Sequence, residues 1–209
     1  MKILTRAQYE FLLRHDFTTF AGRCFQDLNP HTCLATNWHL EVIAAKLTAV
    51  REGRIRRLII NLPPRHLKSL MASIAFPAWC LGHDPSAQIL CVSYAQDLAD
   101  KLARDCRGIL MSAWYRQLFR ARLAPQRHAV QEFITTRQGY RLATSTGGVL
   151  TGRGDDIILI DDPVSRRRSA RMSSGRAPTN GSTTPSTQVC HYRSTCWRTA
   201  AAGPRPTKS

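Results

Sequence analysis

The stretch Arg56-Arg57-Leu58-Ile59-Ile60-Asn61-Leu62-Pro63-Pro64-Arg65-His66-Leu67-Lys68-Ser69 decides the fold of this chain. Its first half, from Leu58 to Leu62, is a short and mostly apolar run rich in branched residues, which predicts a buried parallel strand. Two prolines, Pro63 and Pro64, end the strand, because proline cannot donate to a sheet ladder and fixes its own φ. The mostly apolar segment from Leu70 to Leu81 then predicts a buried helix.

A strand, a tight loop, a Lys-Ser pair and a helix N-terminus together form a pattern that suits phosphate. The loop amides would point at the anion, Lys68 would reach the outer phosphates and the Ser69 hydroxyl would bind Mg²⁺. The pattern departs from G-x-x-x-x-G-K-[ST], because Leu62 and Leu67 stand where glycine is favoured for close approach and positive φ. The alternative is an ordinary strand-to-helix turn with an exposed lysine.

The second informative stretch is Ile157-Ile158-Leu159-Ile160-Asp161-Asp162-Pro163. Four apolar residues followed by two acids predict a buried strand that delivers carboxylates to the C-terminal edge of a sheet, where ligands bind in open α/β folds. Asp161 would hold Mg²⁺ through water, and Asp162 would orient or deprotonate an attacking water. The glycine-rich loop Ser145–Gly154 leads into this strand, although it could be a plain surface loop. Combined with Lys68 and Ser69, the two acids favour a nucleotide-hydrolysing protein.

The other segments alternate between strand and helix patterns, which favours a mainly parallel α/β sheet with right-handed crossovers. Residues 1–36 predict a helical N-terminal lead, and Asn37 is a good N-cap for a helix that stops at Gly53. Further predictions are a strand at 88–94, a helix at 95–111, a short aromatic piece at 114–119 and a hairpin with strands at 131–136 and 140–144.

The polar and aromatic group Asn37-Trp38-His39 lies shortly before the phosphate-loop strand in the sequence. In that position its side chains could clamp a nucleotide base. The alternative is that Trp38 anchors the core and that His39 is a surface residue.

The composition predicts a basic protein with an uneven charge distribution. The chain has 209 residues and a formal charge of +16, which suggests a polyanionic partner. Nine of the 30 Lys and Arg residues, and none of the 14 acidic residues, lie in residues 165–209. Seven cysteines without metal-ligand spacing favour reduced thiols, and no apolar run reaches the ~18–20 residues that span a bilayer. We therefore expect a soluble, intracellular protein with no membrane partner.

A string of segments, in order along the chain, carries a resemblance to a known family. The chain from about Phe25 to Pro163 resembles the ATPase domain of bacteriophage terminase large subunits, the motors that package DNA into proheads. Members of this branch look similar in having a bulky residue before the Walker lysine, as Leu67 is here. The resemblance implies a P-loop (ASCE/RecA-like) NTPase core over residues 37–164. The segments are Asn37-Trp38-His39, Leu58 to Ser69, Phe76-Pro77-Ala78-Trp79, Ser93-Tyr94-Ala95, Trp114-Tyr115, Gly147 to Gly154 and Ile160-Asp161-Asp162-Pro163.

The resemblance also implies residue roles. It makes Asp162 the catalytic carboxylate, where many relatives have Glu, and makes Asp161 the Walker B acid that binds Mg²⁺ with Ser69. Arg65 resembles the Walker A arginine that senses or stabilises the γ-phosphate. The implied nucleotide-binding residues are Pro64, Arg65, His66, Leu67, Lys68 and Ser69, with Asn37, Trp38 and His39 near the adenine.

The implied function is hydrolysis of ATP, with Mg²⁺, to drive viral DNA into the prohead. The expected partners are double-stranded viral DNA, the terminase small subunit, the portal protein and further copies of the chain in a ring, in the cytoplasm of a bacterial host. Terminases of this type are longer and add an RNase H-like nuclease domain and a coupling motif after Walker B. Neither pattern is found here, so this chain alone should not cut DNA.

Residues 165–209 form a basic tail whose composition predicts disorder. It could be an arm that binds DNA phosphates, a solvated linker, or the product of a frameshift near Val164, which we favour. Residues Asn180–Thr187, back-translated and shifted by two nucleotides, can be read as Trp-Phe-Asp-Asn-Thr-Leu-Tyr, which resembles a segment of such terminases. The alternative functions are an inactive frameshifted prophage remnant and a helicase-like nucleic-acid-dependent ATPase, which is disfavoured because no second motor domain follows.

Overall fold

The computed structural model describes residues 4–125, 130–147, 155–162 and 186–192. It is a mixed α/β fold in which helices pack against a mixed sheet. The helices are α1 (Arg6–His15), α2 (Phe17–Leu28), α3 (Trp38–Arg51), a π-helix (Leu70–Ala75), α4 (Phe76–His83), α5 (Gln96–Met111) and α6 (Ala113–Leu118). The strands are β1 (Arg57–Leu62), β2 (Gln88–Ser93), β3 (Glu132–Ile134), β4 (Tyr140–Ser145), β5 (Ile157–Asp161) and β6 (Ser186–Tyr192).

Most of the elements that the sequence predicts are confirmed. The N-terminal lead is helical, and its first helix begins with a capping box in which Thr5 and Gln8 bond each other's backbone. Asp16 caps the second helix by accepting from the Thr19 amide. The third helix begins after Asn37 as predicted, although the Asn37 side chain makes no capping hydrogen bond. The predicted hairpin is present as β3 and β4, with Gln138 at a positive φ in its turn.

The hydrophobic core lies between the helices and one face of the sheet. The buried strand residues that join it occupy alternate positions, such as Ile89 and Cys91 in β2 and Ile157 and Leu159 in β5, so they share one face. Aromatic rings from the N-terminal lead and from later helices fill its centre, among them Phe17, Phe20, Phe76, Trp79, Tyr115 and Phe119. The N-terminal lead is therefore part of the core.

The strand order in the sheet is β1-β6-β5-β2-β4-β3. Strands β5, β2 and β4 pair in parallel, and β3 pairs with β4 antiparallel at the edge. Strand β6 pairs antiparallel with both β1 and β5, so β1 runs in the same direction as β5. The carboxyl ends of β1 and β5 therefore point to the same side of the sheet, which brings the two informative stretches of sequence together.

The prediction that Leu58–Leu62 is a buried parallel strand is wrong in two respects. Among the described residues, β1 has one hydrogen-bonded neighbour, the antiparallel strand β6, so it is an edge strand. Only one of its faces is buried, because Ile60 is 7% exposed whereas Ile59 is 66% exposed. An apolar run predicts a strand, but it does not tell which strands will lie beside it.

The prediction that the whole tail is disordered is also wrong, because residues 186–192 form β6. The prediction used the average composition of the tail, which does not reveal this short segment. Within it, Thr187, Val189 and Tyr192 are good strand formers. Strands β1 and β5 are not paired with each other, and β6 satisfies main-chain groups of both. The remaining tail residues, 165–185 and 193–209, lie outside the described residues, so disorder stays a prediction there. Within the described part of the chain, no helix has the length and apolar character needed to cross a membrane.

Candidate functional site

The loop between β1 and the π-helix has an unusual backbone. Arg65 has a φ of 69° and Leu67 a φ of 57°, while His66 between them is not among the residues with positive φ. Such alternation turns successive backbone N–H groups toward one concave side, which is the arrangement that binds anions. The left-handed conformation costs a non-glycine residue about 1–2 kcal/mol. Leu67 therefore adopts the conformation for which glycine is favoured, although it is not glycine.

A cavity of about 440 Å³ opens above this loop. The cavity is lined by residues of the loop, by Asp162 at the end of β5, and by Lys101 and Asp105 of α5. Its volume falls within the range of small-molecule sites. All six predicted loop residues, Pro64, Arg65, His66, Leu67, Lys68 and Ser69, line this cavity.

Lys68 is the central charged group of the cavity. Its side chain is only 5% exposed, so the exposed lysine of the alternative interpretation is not what the structure shows. The Lys68 Nζ donates to Asp162 Oδ1 at 2.6 Å and lies 3.8 Å from Asp161 Oδ1. The structure thus brings Lys68 next to both of the acids that the sequence analysis assigns to the same function.

Asp161 is buried at the end of β5, with 2% of its surface exposed. Its Oδ2 accepts a hydrogen bond from the Ser73 hydroxyl at 3.1 Å, whereas its Oδ1 has no hydrogen-bond partner among the described residues. Burial raises the pKa of Asp161 and the neighbouring Asp162 adds to the rise, while the nearby Ser69 hydroxyl and the charge of Lys68 oppose it. An ionised carboxylate in this position would be stabilised by a further cation.

Asp162 differs from Asp161 in its surroundings. Its side chain is 31% exposed and lines the cavity, and its backbone has a positive φ of 46°. Aspartate tolerates this conformation better than most residues. The turn directs one acid into the core and leaves the next beside Lys68 at the cavity.

The three residues Asn37, Trp38 and His39 lie in different surroundings in the structure. Asn37 lines a second cavity of about 460 Å³, which lies between the N-terminal lead and the loop and shares Leu67 with the first cavity. Trp38 is 71% exposed, so the alternative in which it anchors the core is wrong. The ring of His39 lies 5.4 Å from the ring of His66 in the loop. Asn37 and His39 therefore border the loop, and Trp38 lies on the outside.

Three residues of the site were not predicted from the sequence. Ser73 follows Ser69 by one helical turn, a spacing that places both on one face and that could have indicated its contact with Asp161. Lys101 and Asp105 of α5 pair with each other at 3.1 Å beside the cavity. No local pattern distinguishes them from an exposed ion pair four residues apart on a helix. From Gly148 to Gly154, the predicted glycine-rich loop lies outside the described residues.

The side chains at this site are suited to binding a magnesium ion that is also coordinated by phosphates. Mg²⁺ prefers oxygen ligands and is usually held by one or two carboxylates together with substrate phosphates and water. Ser69 and Asp161 could supply protein oxygens, and the unpartnered Asp161 Oδ1 is the atom that a bound cation or its water would satisfy. The described residues contain no cluster of three or more His, Cys, Asp or Glu side chains. A metal bound without a phosphate ligand would therefore have few protein ligands here.

The site thus combines a loop with two left-handed residues, a buried lysine and two carboxylates in different surroundings. Neither any protein-family model nor any curated protein sequence matches this chain. The function is therefore inferred from the residues and the geometry of the site.

Proposed function

We propose that the chain is a P-loop ATPase that hydrolyses ATP with Mg²⁺. The observation that carries the proposal is the convergence of Lys68 with Asp161 and Asp162, across the sheet and next to a loop with two left-handed residues. An ordinary turn would not bury a lysine between two acids at the mouth of a cavity. The same convergence supports a P-loop NTPase core as the fold.

The phosphates would lie on the backbone of residues 64–69, with Lys68 neutralising the outer phosphates. Ser69 and Asp161 would hold Mg²⁺, which spreads the charge that develops on the phosphoryl oxygens. Arg65 is exposed at the rim of the cavity, from where it could reach the terminal phosphate. The second cavity, lined by Asn37, offers room for the base and sugar.

Asp162 would act on the attacking water. It is the more exposed of the two acids and lines the cavity, so a water molecule in the cavity can reach its carboxylate and give up a proton to it. In the free protein it accepts a hydrogen bond from Lys68. When Lys68 binds the phosphates instead of Asp162, the Asp162 carboxylate would become free to orient and deprotonate the water.

The biological process that we propose is packaging of viral DNA. It rests on the order of the segments that resemble terminase large subunits and on the excess of basic residues. Double-stranded DNA, the terminase small subunit, the portal protein and further copies of the chain would be its partners in a bacterial cytoplasm. The ATPase chemistry rests on the site and stands independently of this assignment.

The test is the rate of phosphate release from ATP, with Mg²⁺ and with or without duplex DNA. We expect turnover that duplex DNA stimulates and that the substitution Lys68→Ala abolishes. Lys46→Ala is the matched control, because Lys46 is exposed on α3 and does not line the cavity over the loop. Directional unwinding of a duplex would favour a helicase-like ATPase. A folded wild-type chain without turnover would favour an inactive remnant.

A further inference from the structure

The hydroxyl of Ser73 contacts Asp161 from within the core. Ser73 is 1% exposed and belongs to the π-helix that follows the loop. Its Oγ donates to Asp161 Oδ2 at 3.1 Å. This bond uses one carboxylate oxygen and leaves Oδ1 on the side of Lys68, 3.8 Å from the Nζ. The contact therefore sets which oxygen of Asp161 faces Lys68.

A buried guanidinium lies behind Ser73. Arg141 of β4 is fully buried, and its Nη2 donates to the Ser73 carbonyl oxygen at 3.1 Å. Its Nε and Nη1 have no hydrogen-bond partner among the described residues, and no ion pair with a described carboxylate is found for it. Arginine remains charged when buried, and burying a charge without a paired partner is costly. The Phe133 ring, whose centroid lies 6.0 Å from the Arg141 Cζ, offers the guanidinium a cation–π contact but no counter-charge. The bond to Ser73 is therefore the directed contact of this guanidinium toward the site.

The backbone around Ser73 is also irregular. The amide of Phe76 donates to the carbonyl of Met71, five residues earlier, where an α-helix would use the residue four back. Such π turns occur as single turns inside helices, frequently at functional sites. The turn lies between the Lys68-Ser69 pair and α4, so it sets the angle at which Ser73 meets the end of β5.

We propose that Ser73, held by Arg141, is a positioning residue that orients the Asp161 carboxylate toward the cation site. This inference rests on the proposed function, since it requires a magnesium nucleotide at the loop. Outer groups that orient a metal ligand typically contribute 10- to 100-fold to metal affinity. Loss of the Ser73 hydroxyl should therefore lower the affinity for Mg²⁺. It should not weaken the contacts that the loop backbone and Lys68 make to phosphate.

The experiment titrates Mg²⁺ into the full chain with a fluorescent ATP analogue, and measures analogue affinity separately in EDTA. For Ser73→Ala we expect the half-saturating Mg²⁺ concentration to rise about tenfold, with affinity in EDTA unchanged within about twofold. Ser73→Thr keeps a hydroxyl and should restore part of the Mg²⁺ affinity. Ser112→Ala is the matched control, because it removes a hydroxyl that caps α6 away from the site. It should lower the melting temperature and leave Mg²⁺ affinity unchanged.

Arg141→Met provides a second, independent variant. We expect it to lower the affinity for Mg²⁺, as Ser73→Ala does. The melting temperature should stay equal or rise, because a buried charge without a counter-charge is removed. If Ser73→Ala lowers the melting temperature and leaves Mg²⁺ affinity unchanged, Ser73 is merely a satisfied core serine and the inference is overturned. If the wild-type chain binds the analogue neither with nor without Mg²⁺, the proposed function itself is wrong, and the inference falls with it.

Discussion

The ion pair between Lys68 and Asp162 predicts that one substitution will strengthen nucleotide binding and stop turnover. In the free protein, Asp162 accepts a hydrogen bond from Lys68, the side chain that the phosphates would need under the proposed function. Its carboxylate would also repel a bound triphosphate. The substitution Asp162→Asn removes the negative charge while keeping the shape of the side chain, so both effects favour ATP.

The magnitude follows from the geometry. Two unit charges 2.6 Å apart attract each other by about 6 kcal/mol at an effective dielectric constant of about 20. The cost of removing both groups from water offsets most of this attraction. Because the Asp162 side chain is 31% exposed, we expect a net effect of about 1–2 kcal/mol. Since 1.4 kcal/mol is a factor of ten, ATP should bind about 5- to 30-fold more tightly to Asp162→Asn.

Turnover should fall in the same variant. If Asp162 orients and deprotonates the attacking water, its loss should lower kcat by a factor of about 10² or more. The assay is calorimetric titration with ATP and Mg²⁺, combined with phosphate release on the same preparation. Asp97→Asn is the matched control, because Asp97 is exposed on α5 and does not line the cavity. Weaker ATP binding by a folded Asp162→Asn protein would refute the competition between Asp162 and the phosphates for Lys68.

Three further predictions concern the fold. Gly139→Ala should lower the free energy of unfolding by about 2–3 kcal/mol, because the added Cβ would clash with the backbone carbonyl oxygen of Pro85. Unchanged stability in a denaturant titration would contradict this contact. Burial, assisted by the charge of Arg51, lowers the pKa of His83 from 6.5 to about 4. The unfolded chain therefore takes up a proton first, and urea unfolding should show about 1–2 kcal/mol of stability lost as the pH falls from 6.5 to 4; an identical loss in His83→Gln would contradict the assignment. Deletion of residues 165–209 removes β6, the hydrogen-bonded neighbour of β1, so limited proteolysis should cut near residues 57–62 faster; equal protection would show that β6 does not support β1.

The sequence predicted those parts of the site that depend on neighbours along the chain. A branched apolar run, two prolines and a Lys-Ser pair were sufficient to predict β1, the loop and the following helix. The apolar run before Asp161 predicted β5 and its delivery of two carboxylates. In the structure Lys68 lies 2.6 Å from Asp162 and 3.8 Å from Asp161, at the end of β5.

The parts that the sequence did not predict depend on contacts between distant segments. The neighbour of β1 is set by pairing with residues far along the chain, and no local pattern in β1 specifies it. The exposure of Trp38 depends on what packs beside α3, so a large apolar side chain alone did not decide it. Ser73 and Arg141 meet only when the π-helix is laid on β4. Each of these features depends on tertiary packing, about which local sequence propensity carries no information.

The proposed function requires that the loop of residues 64–69, with Lys68 and the two acids, binds a nucleotide. Its most direct test is equilibrium binding of ATP with Mg²⁺ to the wild-type chain and to Lys68→Ala, after circular dichroism shows that both are folded. We predict saturable binding by the wild-type chain, a large loss of affinity in Lys68→Ala and no loss in Lys46→Ala. Equal binding by Lys68→Ala, or no binding by a folded wild-type chain, would contradict the claim.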